Sequence, residues 1–274
     1  MMITTSTLRF INMSSLKVVP RFVSHWFSKC RSFVQDLVAL RVRTFRRGQF
    51  RWVRGMVYFG FRLWLRRIRN PQKLPTQGPV IIVSNHTSYF DWAVLSAVYS
   101  NRYIVFLANQ DLLRRKFVSW LMKLNILIYI NPNKPGYSYF REVVGRLKQG
   151  HIVVIYPEGT RSRTGRMLRP KIGFVKLAMQ TGVPVIPLAM KGAYKVLPPH
   201  KNWPRLKRCE LIVGDPIDIS LNNPALSDIF YGKKHLKEVT DHDLERVAIR
   251  IMDQIAKMAG QEWEDALLRR KVRK

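Results

Sequence analysis

Val80-Ile81-Ile82-Val83-Ser84-Asn85-His86-Thr87-Ser88-Tyr89-Phe90-Asp91 passes from an unbroken apolar run, through a polar turn, into a helical pattern. A short apolar run without polar alternation is the signature of a strand buried on both faces. The stretch 88–100 reads as the helix that follows it. The succession then recurs. Ile104-Val105-Phe106-Leu107 precedes a helical stretch over 110–124, and the strand 126–130 precedes a helix over 138–149. Ile152-Val153-Val154-Ile155 leads towards a helix over 172–181, Val183-Pro184-Val185-Ile186-Pro187-Leu188 is a fifth strand, and Glu210-Leu211-Ile212-Val213 a sixth. Residues 241–268 read as one amphipathic helix with Leu244, Val247, Ile251, Ile255 and Met258 inward. Strands alternating with helices specify an α/β fold, a mostly parallel central sheet flanked by helices, with ligands received at the strand ends.

A chain of 274 residues that is 47% hydrophobic holds one sizeable domain with an appendage. Its 48 Lys+Arg against 17 Asp+Glu leave a formal charge of +31, which calls for an anionic partner, either a lipid surface or nucleic acid. Cys30 and Cys209 are too few for a disulfide framework, so a reducing compartment is the expectation. No CxxC, HExxH or histidine cluster points to a metal, and no GxxxxGK[ST], GxGxxG or GxSxG motif to the chemistries those loops serve. No uncharged apolar run is long enough to predict a transmembrane helix. Arg9, Lys17 and Arg21 interrupt the start of the chain, against a secretory signal. Residues 1–35, basic, serine-rich and free of acids, also have the composition of a mitochondrial-type presequence.

The first 70 residues stand apart, with fifteen basic residues, the single acid Asp36, and aromatics interleaved throughout. Segments 21–46 and 49–69 read as two basic amphipathic helices broken near Gly48. In the second, Trp52, Met56, Phe59 and Leu63 recur at helical spacing among arginines. Such a pair suits a bilayer interface, and it equally suits a hairpin packed on the domain with a solvated basic face. The breaker-rich stretch 70–79 places the boundary, giving an N-terminal membrane-binding segment over 1–70 and an α/β domain over 71–274.

Two segments carry chemistry. His86 follows a strand, and Asp91 stands five positions later at the start of a helix. A turn of chain can bring the carboxylate onto one imidazole nitrogen and leave the other to take a hydroxyl proton. Ser88 and Asp91 also fit a helix cap, and these few residues alone leave both readings open. Tyr156-Pro157-Glu158-Gly159-Thr160-Arg161-Ser162 follows another strand. Gly159 permits a tight turn, Arg161 can grip a phosphate through two N–H donors, and Glu158 can hold a substrate hydroxyl or Arg161 itself. A surface turn with an ordinary ion pair fits as well. Arg163, Arg166, Arg169 and Lys171 continue the basic stretch.

The two segments, in this order and separation, resemble the motifs of the glycerolipid acyltransferases, the bacterial-type 1-acylglycerol-3-phosphate acyltransferases above all. Asn85-His86 through Asp91 resembles the NHxxxxD motif, and Tyr156 through Arg161 the PEGTR motif, with tyrosine where phenylalanine is usual. Lys171-Ile172-Gly173 and Val183 through Pro187 resemble the family's later elements, and the likeness runs over about residues 72–220. It implies that His86 deprotonates the free hydroxyl of lysophosphatidic acid and that Asp91 orients it. It also implies that Glu158, Gly159, Thr160, Arg161 and Lys171 bind the acceptor. The implied co-substrate is acyl-coenzyme A or acyl carrier protein, with no cofactor or metal, and the product is phosphatidic acid for phospholipid biosynthesis. The implied setting is a monotopic enzyme on the cytoplasmic face of the inner membrane, in contact with anionic lipid and not with nucleic acid. One position departs from the pattern. Asn131 or Pro132 stands where the family usually has an arginine linked to the acceptor phosphate. Either Lys134 or Arg141 takes its place, or the acceptor has another headgroup, as in lyso-ornithine lipid. The rival reading from another class is a non-enzymatic binder of anionic surfaces.

Overall fold

The computed structural model describes residue 60 and residues 62–99, 102–109, 126–130, 137–201 and 204–265. Its strands are β1 (Leu65–Arg69), β2 (Val80–Ser84), β3 (Ile104–Asn109), β4 (Ile126–Ile130), β5 (Ile152–Ile155), β6 (Val185–Lys191) and β7 (Cys209–Val213). Its helices are α1 (Asp91–Val98), α2 (Tyr137–Lys148), α3 (Gly173–Thr181), α4 (Ala193–Val196) and α5 (Asp241–Ala259). The strands form one sheet in the order β1-β7-β6-β2-β5-β3-β4. All neighbours are parallel except β6 and β7. The expected α/β architecture is therefore present.

The core explains why the central strands read as unbroken apolar runs. Ile81, Val83, Val105 and Val153 share one cluster with Leu147 of α2, Phe174 of α3 and Ile251 of α5. The alternate residues Ile82, Phe106, Val154 and Leu188 point to the other face and are buried too. A strand with two dry faces has no position for a polar residue.

Three expectations change. Residues 65–69, read as the end of a basic amphipathic helix, form the edge strand β1. The cause is tertiary: Arg67 and Arg69 reach the Glu210 carboxylate of β7 at 3.1 and 3.0 Å, and Arg66 stands 3.7 Å away. An arginine-rich edge also discourages pairing with another chain. The sheet thus includes residues ahead of the breaker-rich stretch 70–79. Asn70, left-handed at φ 57°, ends β1 and donates from Nδ2 to the Val213 carbonyl. The helix read over 88–100 begins only at Asp91, because residues 87–90 form the turn described below. The C-terminal helix stops at Ala259 rather than 268. Gly260 takes the left-handed conformation (φ 65°), and the chain then runs beside residue 167, pairing Met167 with Trp263. At its other end α5 has a reciprocal cap between Thr240 and Asp243. Residues 62–64 of the second expected helix form a 3-10 turn ahead of β1. The amphipathic helix read over 21–46, residues 49–59 and 61 of the second, and the helix read over 110–124 lie outside the described residues.

Candidate active site

Strands β2 and β5 are parallel neighbours with Val83 opposite Ile155, so the segments that follow them leave the sheet side by side at its carboxyl edge. This register unites two segments far apart in sequence. The Ser162 N–H donates to the His86 carbonyl at 2.9 Å. Glu158 ties the loops more firmly: its carboxylate oxygens accept the His86 N–H at 2.7 Å and the Leu168 N–H at 3.0 Å. Both oxygens are thus occupied by backbone donors. Glu158 thereby ties the two loops together. Burial pushes its carboxyl up to about 8, against the pull of the two N–H donors and with the Asp91 charge adding to the rise.

The question left open for Asp91 resolves into both answers. A single oxygen, Oδ2, accepts the N–H groups of Thr87 and Ser88 and lies against His86 Nδ1, each at 2.9 Å. The carboxylate fastens the turn ahead of α1 and also fixes the imidazole. An oxygen already holding two N–H donors serves Nδ1 as an acceptor, which assigns the ring proton to Nδ1 and leaves the Nε2 lone pair available. Asp91 is fully buried and His86 is 19% exposed, so the imidazole alone meets solvent. The Ser88 hydroxyl accepts the Phe90 N–H and donates to the Leu197 carbonyl, which pins the turn from its far side.

Two tyrosines complete the site, and neither had a role in the reading of the sequence. The Tyr156 ring stacks on His86 at 4.1 Å between centroids and 19° between planes. Its hydroxyl is buried without a hydrogen-bond partner among the described residues, and burial, then the Asp91 charge, raises its pKa well above the usual range. Tyr89 lies under Arg161, whose guanidinium carbon is 3.4 Å from the ring centroid. Nη1 of Arg161 is buried and has no hydrogen-bond partner among the described residues. Gly159 turns at φ 69°, and a Cβ there would meet Lys171 Cε at 3.0 Å and Nζ at 3.1 Å. The absent side chain is what lets Lys171 lie across the turn, while the Lys171 N–H donates to the Pro157 carbonyl. Thr160 is exposed beside it.

The rest of the basic stretch divides. Arg169 is engaged by Glu245 at 2.8 Å from Nε, whereas Arg163 and Arg166 are exposed. Of the two stand-ins for the missing arginine, Arg141 is exposed on α2, and Lys134 lies outside the described residues. Two further ties escaped the motifs. Asn85 exchanges hydrogen bonds with the backbone of Met190 on β6 and donates to Gln261 Oε1 at 2.5 Å. Gln261 Nε2 in turn donates to the Gly165 carbonyl at 2.6 Å. Asn85 was visible within its motif, but nothing in the sequence signals a glutamine after the last helix.

Known proteins resemble this chain in sequence and in fold. Residues 66–191 match the family described as Acyltransferase. Over 141 residues the chain is 34% identical to human 1-acyl-sn-glycerol-3-phosphate acyltransferase beta, an alignment covering 50% of this chain and 49% of that one. It is 29% identical over 179 residues to the 1-acyl-sn-glycerol-3-phosphate acyltransferase of Escherichia coli, covering 64% and 67%. The chain spans about half the length of most of the curated relatives it matches. The crystal structure of the 1-acyl-sn-glycerophosphate acyltransferase of Thermotoga maritima shares the fold, with a TM-score of 0.61 at 19% identity over 87% of this chain and 95% of that one.

Proposed function

We propose that this chain, whose residues 66–191 match the Acyltransferase family, transfers an acyl chain from an acyl-coenzyme A or acyl carrier protein thioester to lysophosphatidic acid, forming phosphatidic acid. The observation that carries this reading is the contact of His86 Nδ1 with Asp91 Oδ2 at 2.9 Å, beside an arginine with an unsatisfied buried donor.

His86 Nε2 takes the proton of the acceptor hydroxyl, and Asp91 stabilises the imidazolium that forms. The acceptor oxygen attacks the thioester carbonyl, the tetrahedral intermediate expels the thiolate as the C–S bond breaks, and the imidazolium returns its proton to sulfur. The donor is already activated, so no covalent enzyme intermediate is required. Arg161, its guanidinium carbon over the Tyr89 ring, directs its Nη1 donor to the acceptor phosphate, and Lys171 adds charge across Gly159. Glu158 and Tyr156 position the loops and the imidazole.

Among the described residues no helix is long and apolar enough to cross a membrane. We place the enzyme on the surface of the inner membrane, at its cytoplasmic face, with the basic stretch ahead of β1 as the attachment. A second acceptor, lyso-ornithine lipid or another lysolipid, is favoured by one observation: asparagine and proline at 131 and 132, where related enzymes usually carry arginine.

The test is acyl transfer in detergent micelles from labelled acyl-coenzyme A or acyl carrier protein to a panel of lysolipids, comparing wild type with His86→Ala. Phosphatidic acid formed by the wild type and lost in the variant is the expected result. Near-normal turnover by His86→Ala refutes the mechanism, and transfer confined to another lysolipid selects the second acceptor.

A further inference from the structure

Strands β1 and β7 are parallel neighbours with Leu65 opposite Cys209, so the residues that feed them, 62–64 and 205–208, lie together at one end of the sheet. They are also bonded to each other. Trp64 Nε1 donates to the Arg205 carbonyl at 3.2 Å, and the Cys209 thiol donates to the Trp64 carbonyl at 3.4 Å. Strand β7 runs antiparallel to β6 with Glu210 opposite Lys191, which makes this the carboxyl end of β6 and of β2 and β5 beside it. That is the end that holds His86. The connection is direct: the Trp64 ring packs edge-on against Phe90, 5.2 Å between centroids, and Phe90 immediately precedes Asp91.

At this edge two leucines stand in solvent, Leu63 at 64% and Leu206 at 94% exposure. Around them Arg62, Arg205, Lys207 and Arg208 are exposed, and neither 62–69 nor 194–208 contains an acid. Apolar tips ringed by cations, next to a site that handles a lipid, have a specific complement. Leucine side chains enter the acyl boundary while arginine and lysine heads remain with anionic headgroups. A nucleic acid needs the cations and gives the leucines nothing to do.

We propose that Leu63 and Leu206, with Arg62, Arg205, Lys207 and Arg208, form a contact surface for an anionic lipid bilayer beside the His86–Asp91 loop. This surface is built where β1 and β7 begin, on the α/β domain itself. It sets the mouth of the site against the membrane, so that a single-chain acceptor enters and a two-chain product leaves without crossing water. The purpose rests on the acyltransferase reading, but the contact itself does not.

The test uses the full chain with Cys30→Ser, Cys209 being buried, and an environment-sensitive fluorophore on Leu206→Cys or, separately, Leu63→Cys. The reference position is Tyr231→Cys, 90% exposed. Tyr231 precedes α5, and α5 ends next to Lys191, so this reference lies at the opposite end of the sheet. On vesicles of phosphatidylethanolamine with phosphatidylglycerol, the probes at 63 and 206 should shift to the blue and be quenched by nitroxide-labelled lipid, while the probe at 231 keeps its aqueous emission. Phosphatidylcholine vesicles should give a weaker response. A water-like probe at 206 on vesicle-bound protein, equal responses at 206 and 231, absence of vesicle binding, or shielding of 206 by duplex DNA but not by vesicles would each overturn the proposal. The readout is fluorescence, so the outcome does not depend on finding acyl transfer.

Discussion

Asp91→Asn separates the two tasks that one oxygen performs. The amide carbonyl can take the place of Oδ2 and keep the Thr87, Ser88 and His86 Nδ1 contacts, all at 2.9 Å. The amide NH2 then occupies the position of Oδ1, which is buried and has no hydrogen-bond partner. The wild type already carries an unpaired oxygen there, so this exchange should change stability little. The larger loss is the charge. When Nε2 takes the substrate proton, an imidazolium stands against the carboxylate, and two charges ~4 Å apart at an effective dielectric of ~20 attract by about 4 kcal/mol. Removing that from the transition state predicts a fall in kcat of roughly 10^3-fold. The 19% exposure of His86 admits some solvent screening and sets this as an upper figure. The assay is kcat at saturating donor and acceptor, with thermal unfolding of the same preparation. Asp91→Ala is the companion: it orphans two backbone N–H groups in the turn and should lower stability more than Asp91→Asn does. A folded Asp91→Asn that loses less than about 10-fold in kcat refutes the reasoning and reduces Asp91 to a helix cap.

Tyr156→Phe keeps the ring on His86 and removes a hydroxyl that is buried without a partner, so thermal unfolding should rise by a few degrees, equivalent to about 1 kcal/mol; a clear drop in Tm contradicts this. Glu158 prefers its protonated form in the fold, its carboxyl rising from 4.5 to about 8. Its contribution is therefore complete below pH 4.5 and lost as pH climbs through 8, with a slope of at most about 1.4 kcal/mol per pH unit. Tm profiles over this range should fall more steeply for wild type than for Glu158→Gln, and parallel profiles would show that the carboxyl is not the cause. Gly159→Ala forces a side chain into a left-handed turn and against Lys171 Cε at 3.0 Å. The apparent KM for the acceptor should rise more than kcat falls, and unchanged kinetics would remove Lys171 from the phosphate site. Gln261→Ala cuts the link from Asn85 to Gly165, with an expected loss of about 1–2 kcal/mol in chemical denaturation; wild-type stability would mean that water replaces the amide at no cost.

The legible parts of the fold were those where burial on both faces wrote itself into composition. The apolar runs at 80–83, 104–107 and 152–155 are strands whose side chains, except the half-buried Leu107 and Ile155, all meet a dry face. The run at 65–69 was not legible. Its arginines recur as they would on a helix, and its strand state depends on Glu210, which lies far along the chain. The end of the last helix was misread for a smaller reason: Gly260 stops it, although the residues beyond remain compatible with a helix.

The candidate site divides along the same line. Residue types and local spacing by themselves determined that His86 and Asp91 could pair, because five residues of turn suffice to bring the two side chains together. They also determined that Arg161 follows a glycine able to turn at φ 69°. The association of the two motifs was decided only in three dimensions, by the parallel pairing of β2 and β5. So were the roles of Glu158 as a clamp on two backbone N–H groups, of Tyr89 beneath Arg161 and of Gln261 between the loops. The physical reason is range. Strand formation and turn chemistry depend on neighbours in sequence and leave a local pattern. A hydrogen bond or ring contact between distant segments depends on sheet order and register, and a one-residue slip of that register would abolish the contact without changing any local pattern.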